Sequence, residues 1–316
     1  MSKEIAIRTE ALTKRFERHI AVNDLHLQIP VGEVYGLIGP NGAGKTTLIR
    51  MLAAAEEPTM GEIYINEERL LRDQSNSNLK RHIGYLPDDY PLYDDLTVWD
   101  YLDYFARLYF LKGAKRTQRL YEVLELVQLT NKRNSLISTL SRGMKQRLGL
   151  ARTIIHEPIL LLLDEPVSGL DPIARVQFRE IIKILHEVGM TILISSHILS
   201  DLAELCTSVG IMELGFLVES APLSELYRRL SRQEIYLNTV GELDDLIAAI
   251  KNYPEVENWE VLPGTKSIRL QFAGTPEDEA NLLRSLINSG IPLNEFHCTQ
   301  ESLEKIFLKL GHKQAS

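Results

Sequence analysis

The sequence predicts an α/β domain followed by a smaller α+β domain. Three observations carry this. Up to about residue 220, short continuous apolar runs alternate with longer helical stretches. A glycine-rich segment at 39–46 joins one of those runs to a helical stretch. From about residue 233 the pattern changes to strand, helix, strand, strand, helix, strand.

The apolar runs are VYGLIG (34–39), HIGYLP (82–87), ILLLLD (159–164) and TILISS (191–196). Runs apolar at successive positions suit strands buried on both faces, and so a largely parallel sheet covered by helices. Helices are expected at 45–55, 97–111, 117–128, 142–156, 172–188 and 198–206. The tail reads strand 234–240, helix 242–253, strands 256–262 and 267–273, helix 276–290 and strand 292–298. That order is the ferredoxin-like split βαβ unit. A last helix is expected at 301–311. The domains fall at 1–220 and 234–316, with a helix-containing linker over 221–233.

Composition sets the broad class. The 316 residues carry 35 Lys and Arg against 43 Asp and Glu, a formal charge of −8. Hydrophobic residues make up 44% and charged residues 25%, as in an ordinary globular protein. Residues 231–316 are the more acidic part, with 8 basic against 13 acidic side chains. No basic face is expected, so nucleic acid is not expected as a partner. Cys206 and Cys298 match neither a disulfide framework nor a metal motif. The start, MSKEIAIRTEALTKRF, has no apolar stretch of the signal-peptide kind. No apolar run exceeds the five residues of Ile159 to Leu163, far short of the roughly 20 residues that span a bilayer.

The chemistry starts at Gly39-Pro40-Asn41-Gly42-Ala43-Gly44-Lys45-Thr46-Thr47, which matches G-x-x-x-x-G-K-[ST] between a strand and a helix. Glycines 39, 42 and 44 are expected at backbone angles closed to other residues. Successive N–H groups then face inward as an anion nest at a helix N-terminus. Lys45 offers a charge to the β- and γ-phosphates, and Thr46 a hydroxyl to Mg²⁺. Downstream, ILLLLDEP sets Asp164 and Glu165 at the end of a buried strand, where open α/β sheets bind ligands. Asp164 is expected to hold Mg²⁺ and Glu165 to polarise an attacking water. The guanine motif N-K-x-D is missing; the nearest string, Asn131-Lys132-Arg133-Asn134, ends in the wrong residue. Adenine is therefore the expected base.

Leu140-Ser141-Arg142-Gly143-Met144-Lys145-Gln146-Arg147 resembles the LSGGQ signature of ATP-binding-cassette (ABC) ATPases. Ser168-Gly169-Leu170-Asp171 resembles that family's D-loop, His197 its switch histidine, and Phe16 its adenine-stacking aromatic. Arg142 and Met144 depart from the pattern, while Ser141 and Gly143 keep it. Asp88 stands where the family has the Q-loop glutamine, and it is a candidate oxygen ligand for metal or water. The segment 301–310 resembles the tail of ATPase subunits from the exporter branch with separate ATPase and membrane chains.

The resemblance implies a P-loop ABC-type ATPase domain with a helical subdomain over about 88–156. It implies ATP and Mg²⁺ as cofactors, and ATP sandwiched in a homodimer or heterodimer of ATPase subunits. In that arrangement Ser141 and Gly143 face the γ-phosphate held by the other protomer, and Asp171 links the two sites. Glu165 and His197 act on the attacking water. A transmembrane permease subunit is the implied partner, holding the chain on the inner face of the cell membrane. The aromatic segment 87–109 serves either as the core of the helical subdomain or as the permease groove, or as both. Two other functions compete: a soluble ABC-type ATPase acting on ribosomes or DNA, and a nucleotide-sensing regulator. The single Lys45 loop and the lack of sustained heptads count against the former; binding without turnover would mark the latter.

Overall fold

The four apolar runs become neighbouring parallel strands of one sheet, with the 82–87 run at its edge. The computed structural model describes residues 4–71, 76–197, 202, 204–230, 233–251 and 253–300. The expected helix at 301–311 and most of the one at 198–206 lie outside the described residues. The chain divides into two compact units, Met1–Leu223 and Ser224–Ser316.

In the first unit, β3 (Val34–Ile38), β6 (Ile83–Leu86), β7 (Leu160–Leu163) and β8 (Thr191–Ser196) run parallel in the order β3-β8-β7-β6. Every residue of β3, β7 and β8 is buried. Two-sided burial is why these runs read as continuous rather than alternating. β9 (Ser208–Glu213) pairs parallel with β3 on its other side, and β10 (Phe216–Pro222) closes that edge antiparallel. Parallel strands finish on the same side, so the segments that follow β3, β6, β7 and β8 meet at one rim.

A second sheet was not expected from the sequence. β1 (Ile5–Phe16), β2 (His19–Pro30), β4 (Met60–Ile65) and β5 (Glu68–Arg69) form an antiparallel sheet in the order β2-β1-β4-β5. These strands carry the other periodicity. Leu25, Leu27 and Ile29 of β2 are buried while His26 and Gln28 between them are exposed. Alternation of this kind marks a half-buried strand and is weaker than a five-residue apolar run.

α1 (Lys45–Leu52) joins the two sheets. Its Leu48, Ile49, Met51 and Leu52 share a core with Leu25, Leu27 and Ile29 of β2 and with Leu37, Leu160, Leu162 and Leu193 of the parallel sheet. The helix stops three residues short of the expected end, and Ala54 turns left-handed at φ 52°. After the short α2 (Ser77–Lys80) and β6 comes a helical layer: α3 (Val98–Leu108), α4 (Gly113–Leu126) and α5 (Arg142–Ile154). Thr97 caps α3 by accepting from the Asp100 N–H. α4 begins four residues earlier than expected, at Gly113, where the chain has turned through positive φ at Phe110 and at Gly113 itself. α6 (Pro172–Glu187) opens with Pro172 behind the capping Asp171.

The second unit has α7 (Leu223–Leu230) at its start, then β11 (Gln233–Thr239), α8 (Leu243–Lys251), β12 (Val256–Val261), β13 (Ser267–Phe272), α9 (Pro276–Asn288) and β14 (Leu293–Gln300). The sheet order is β12-β13-β11-β14, antiparallel throughout. This is the expected ferredoxin-like arrangement. Ile235, Leu237, Ile268, Leu270 and Phe272 from the sheet pack with Leu246 and Ile250 of α8 and Leu282 and Leu286 of α9. Thr275 and Asp278 close a capping box at the start of α9.

Candidate active site

The rim of the parallel sheet holds a cavity of about 390 Å³. The loop after β3 supplies Asn41 to Thr47, the segment after β6 supplies Asp88, the turn after β7 supplies Glu165 and Ser168, and the end of β8 supplies His197. Four sequence-distant motifs thus reach one space because four parallel strands end beside it. A larger cleft of about 840 Å³ lies at the opposite strand ends, beside Ile159, Thr191 and Val188. It has no glycine-rich loop, whereas the residues expected to carry the chemistry line the smaller cavity.

The glycines of the loop serve two different purposes. Gly42 and Gly44 take φ of 82° and 102°, as expected, and Gly44 immediately precedes α1. Gly39 does not take a positive φ. A Cβ there would sit 2.3 Å from the Met212 carbonyl oxygen, so close approach to β9 fixes this glycine. A Cβ at Gly44 would likewise sit 2.1 Å from the Ala21 carbonyl oxygen. Lys45 is only 5% exposed. Its Nζ donates to the Gly39 oxygen at 2.7 Å and the Pro40 oxygen at 3.2 Å, and lies 3.4 Å from Glu165 Oε1. The ammonium is held at the mouth of the loop.

The acidic pair divides between a fully buried position and one that opens on the cavity. Asp164 is fully buried. Its Oδ1 accepts from Ser195 Oγ at 2.8 Å and from Thr46 Oγ1 at 3.2 Å. Burial pushes its pKa up, against the lowering effect of the Ser195 and Thr46 hydrogen bonds, while the Glu165 and Asp88 charges push it further up. Its Oδ2 is buried with no partner. Glu165 sits at φ 48° and its N–H donates to Ser195 Oγ at 2.9 Å. Its Oε2 accepts from His197 Nδ1 at 2.7 Å. Glu165 therefore bridges Lys45 and His197 across the cavity.

The orphaned Asp164 oxygen beside the Thr46 hydroxyl is a set of hard oxygen donors, which fits Mg²⁺. Among the described residues no group of three or more His, Cys, Asp or Glu could hold a metal alone. The expected ligands Thr46, Asp164 and Asp88 would need phosphate or water oxygens to complete a shell, as Mg²⁺ sites commonly do.

The remaining expected residues lie elsewhere. Phe16 is 37% exposed and stacks on His19, with ring centroids 5.4 Å apart. His19 itself lines the cavity. The sequence shows no pattern around His19, although its place three residues after Phe16 is a usable signal. Ser195, which donates to the Asp164 carboxylate and accepts from the Glu165 N–H, was also missed; its signal is a hydroxyl near the end of a buried apolar strand. Ser141, Gly143 and Asp171 do not line the cavity. Ser141 caps α5, Asp171 caps α6, and Gly143 packs against Ala174 where a Cβ would come within 2.7 Å of that residue's Cβ. They form a second cluster on the same unit.

In the aromatic segment, Tyr101 is fully buried while Tyr93 and Tyr104 are 46% and 45% exposed. Tyr93, Tyr101, Tyr104 and Phe105 form a chain of edge contacts. Core and surface roles are divided within this one group of rings. Among the described residues no helix is long and apolar enough to cross a membrane.

Comparisons with known proteins give the family. The sequence profile described as "ABC transporter" matches residues 22–168. The chain is 35% identical over 314 residues to the bacitracin transport ATP-binding protein BcrA of Enterococcus faecalis, covering 98% of this chain and 97% of that one. It is 30% identical to the linearmycin resistance ATP-binding protein LnrL of Bacillus subtilis (strain 168), covering 96% and 97%. A dimeric bacterial ABC transporter cassette, MJ0796, shares 26% identity at a TM-score of 0.62, over 69% of this chain and 98% of that one.

Proposed function

The chain belongs to the ABC transporter ATP-binding proteins and is an ATPase, and from that premise we propose that two such chains clamp two ATP molecules and drive export through a separate membrane-spanning subunit. The observation that carries this is the separation of two clusters on one chain. The Lys45 loop, Asp88, Glu165 and His197 share a cavity that Ser141, Gly143 and Asp171 do not line. A signature serine at a helix N-terminus, with the helix dipole behind it, suits a bound anion. A second chain supplies that anion, as nucleotide in its own loop. The dimeric cassette at 26% identity supports a two-chain arrangement. The relatives named for bacitracin transport and linearmycin resistance support export.

In the proposed mechanism the loop N–H groups and Lys45 hold the β- and γ-phosphates of ATP, with Phe16 against adenine. Thr46 and Asp164 are the residues that would hold Mg²⁺, which supplies charge stabilisation to the phosphates when bound. Glu165 accepts a proton from the attacking water. Oxygen bonds to the γ-phosphorus as the bond to the β-bridging oxygen breaks, leaving ADP and phosphate. His197 holds Glu165 in place through Nδ1 and orients the water. Asp171 links the two sites across the interface. The exposed rings Tyr93 and Tyr104 form the docking face for the membrane subunit, which keeps the chain on the inner face of the cell membrane.

Glu165→Gln tests the chemistry. The variant should bind ATP and dimerise on it, while hydrolysis falls by about 10²–10⁴. Steady-state turnover near the wild-type rate would remove Glu165 from the base role.

A further inference from the structure

Arg142 stands in the signature where the family pattern has glycine, and its side chain has a specific contact. Nη2 donates to the Ser168 carbonyl oxygen at 3.0 Å. Gly169, the next residue, leaves room for the guanidinium: a Cβ there would lie 2.5 Å from Arg142 Cζ and Nη2. Gly169 also takes φ 67°, so two independent constraints favour glycine. The rest of the loop is pinned in the same way. Arg175 Nε donates to the Leu170 oxygen at 3.1 Å, and Asp171 Oδ1 accepts from the Ala174 N–H at 2.9 Å. Gly143, next to Arg142, is buried against Ala174. The starts of α5 and α6 are thus joined by side chain and backbone together.

Ser168 has a second contact that gives the link direction. It lines the cavity that holds Lys45, Glu165 and His197. Arg142 therefore connects the signature loop to the wall of the chain's own nucleotide cavity. We infer that Arg142 is a positioning residue that couples the two nucleotide sites of a dimer. A change at the chain's own cavity shifts Ser168, and through Arg142 the signature loop that faces the other protomer's nucleotide. A planar guanidinium with fixed donors suits such a link better than a flexible ammonium. The inference rests on the two-chain reading given above.

The test uses the full-length chain, with Arg142→Ala and Arg142→Lys beside wild type. ADP affinity reports on one cavity alone and should stay within about twofold in both variants. ATPase rate against ATP concentration should show the wild type to be cooperative, with a Hill coefficient approaching about two. In Arg142→Ala the Hill coefficient should fall toward one and kcat by up to about 10²-fold, the scale of a catalytic group displaced by a remote mutation. Arg142→Lys should recover part of both. A non-cooperative wild type, or an Arg142→Ala chain with wild-type kcat and cooperativity, overturns the inference. So does a loss of ADP affinity in step with kcat, which would mark a general structural role. Glu165→Gln with Arg142 intact separates the two claims. If that chain fails to dimerise on ATP, the two-chain reading falls; if it dimerises and Glu165→Gln/Arg142→Ala dimerises equally well, only the Arg142 link falls.

Discussion

Asp164 shows at the scale of one residue how a functional site opposes stability. Its carboxylate is fully buried, and one oxygen has no partner. An unpaired buried acceptor costs free energy, and a charged one costs more. The raised pKa expresses the same cost. The folded chain binds this proton more tightly than the unfolded chain, so protonation stabilises the fold. Stability contributed at Asp164 is greatest at low pH and is lost as pH rises through the raised pKa. Asp164→Asn keeps an acceptor for Ser195 and Thr46 but has no charge. The variant should melt higher than wild type without nucleotide, by a margin that widens as pH rises above the ordinary carboxylate range and levels off above the raised pKa. It should also lose the extra stabilisation that Mg²⁺-ATP gives. Melting curves at several pH values check this, and a lower Tm for the variant at neutral pH would contradict it. The motif residues were legible because their chemistry dictates residue type: a lysine, a hydroxyl and two acids at fixed spacings. Ser195 and His19 were not, since a serine inside a strand and a histidine at the start of one occur for many reasons.

At the scale of elements, α5 is the hub. Its first residue carries the Arg142 link, and its middle is tied to the segment after Asp88. Tyr90 Oη donates to the Lys145 oxygen at 3.0 Å and to Gln146 Oε1 at 3.2 Å. Burial pushes the Tyr90 hydroxyl pKa up, which keeps it a neutral donor. The ring covers Gly149, where a Cβ would lie 2.4 Å from Tyr90 Cζ and Oη. Gly149→Ala must displace that ring, and overpacking of this kind costs roughly 1–3 kcal/mol. The expected result is a lower Tm together with weaker coupling of nucleotide binding to α5; an unchanged Tm would show that the ring moves freely. Elements were legible where burial is two-sided, as in β3, β7 and β8. β1, β2 and β4 escaped notice because their apolar residues alternate with polar ones. β9 was hidden by Gly210, which exists to admit the Tyr35 ring: a Cβ there would lie 2.1 Å from the Tyr35 hydroxyl. Helix ends shifted where positive-φ residues such as Ala54 and Phe110 turned the chain.

At the scale of the whole molecule, each unit has its own core, and the cavity beside the Lys45 loop belongs to the first. The order of motifs was readable because a parallel sheet brings every strand end to one rim. The exposed aromatic face of the helical layer was only half readable, since rings at helical spacing serve a core and a docking face alike. Asp88 stands between chemistry and coupling: it lines the cavity and begins the segment that Tyr90 anchors to α5. Asp88→Gln should keep basal hydrolysis and alter the stimulation that a membrane partner gives; complete loss of basal turnover would place Asp88 in the chemistry instead. We propose that this ATPase works on a membrane-spanning partner. The most direct measurement is recovery of Glu165→Gln from detergent-solubilised native membranes with Mg²⁺-ATP present, followed by identification of what accompanies it. A multi-span membrane protein in near-equal amount is the predicted result; recovery of the chain alone, or with soluble proteins only, would contradict it.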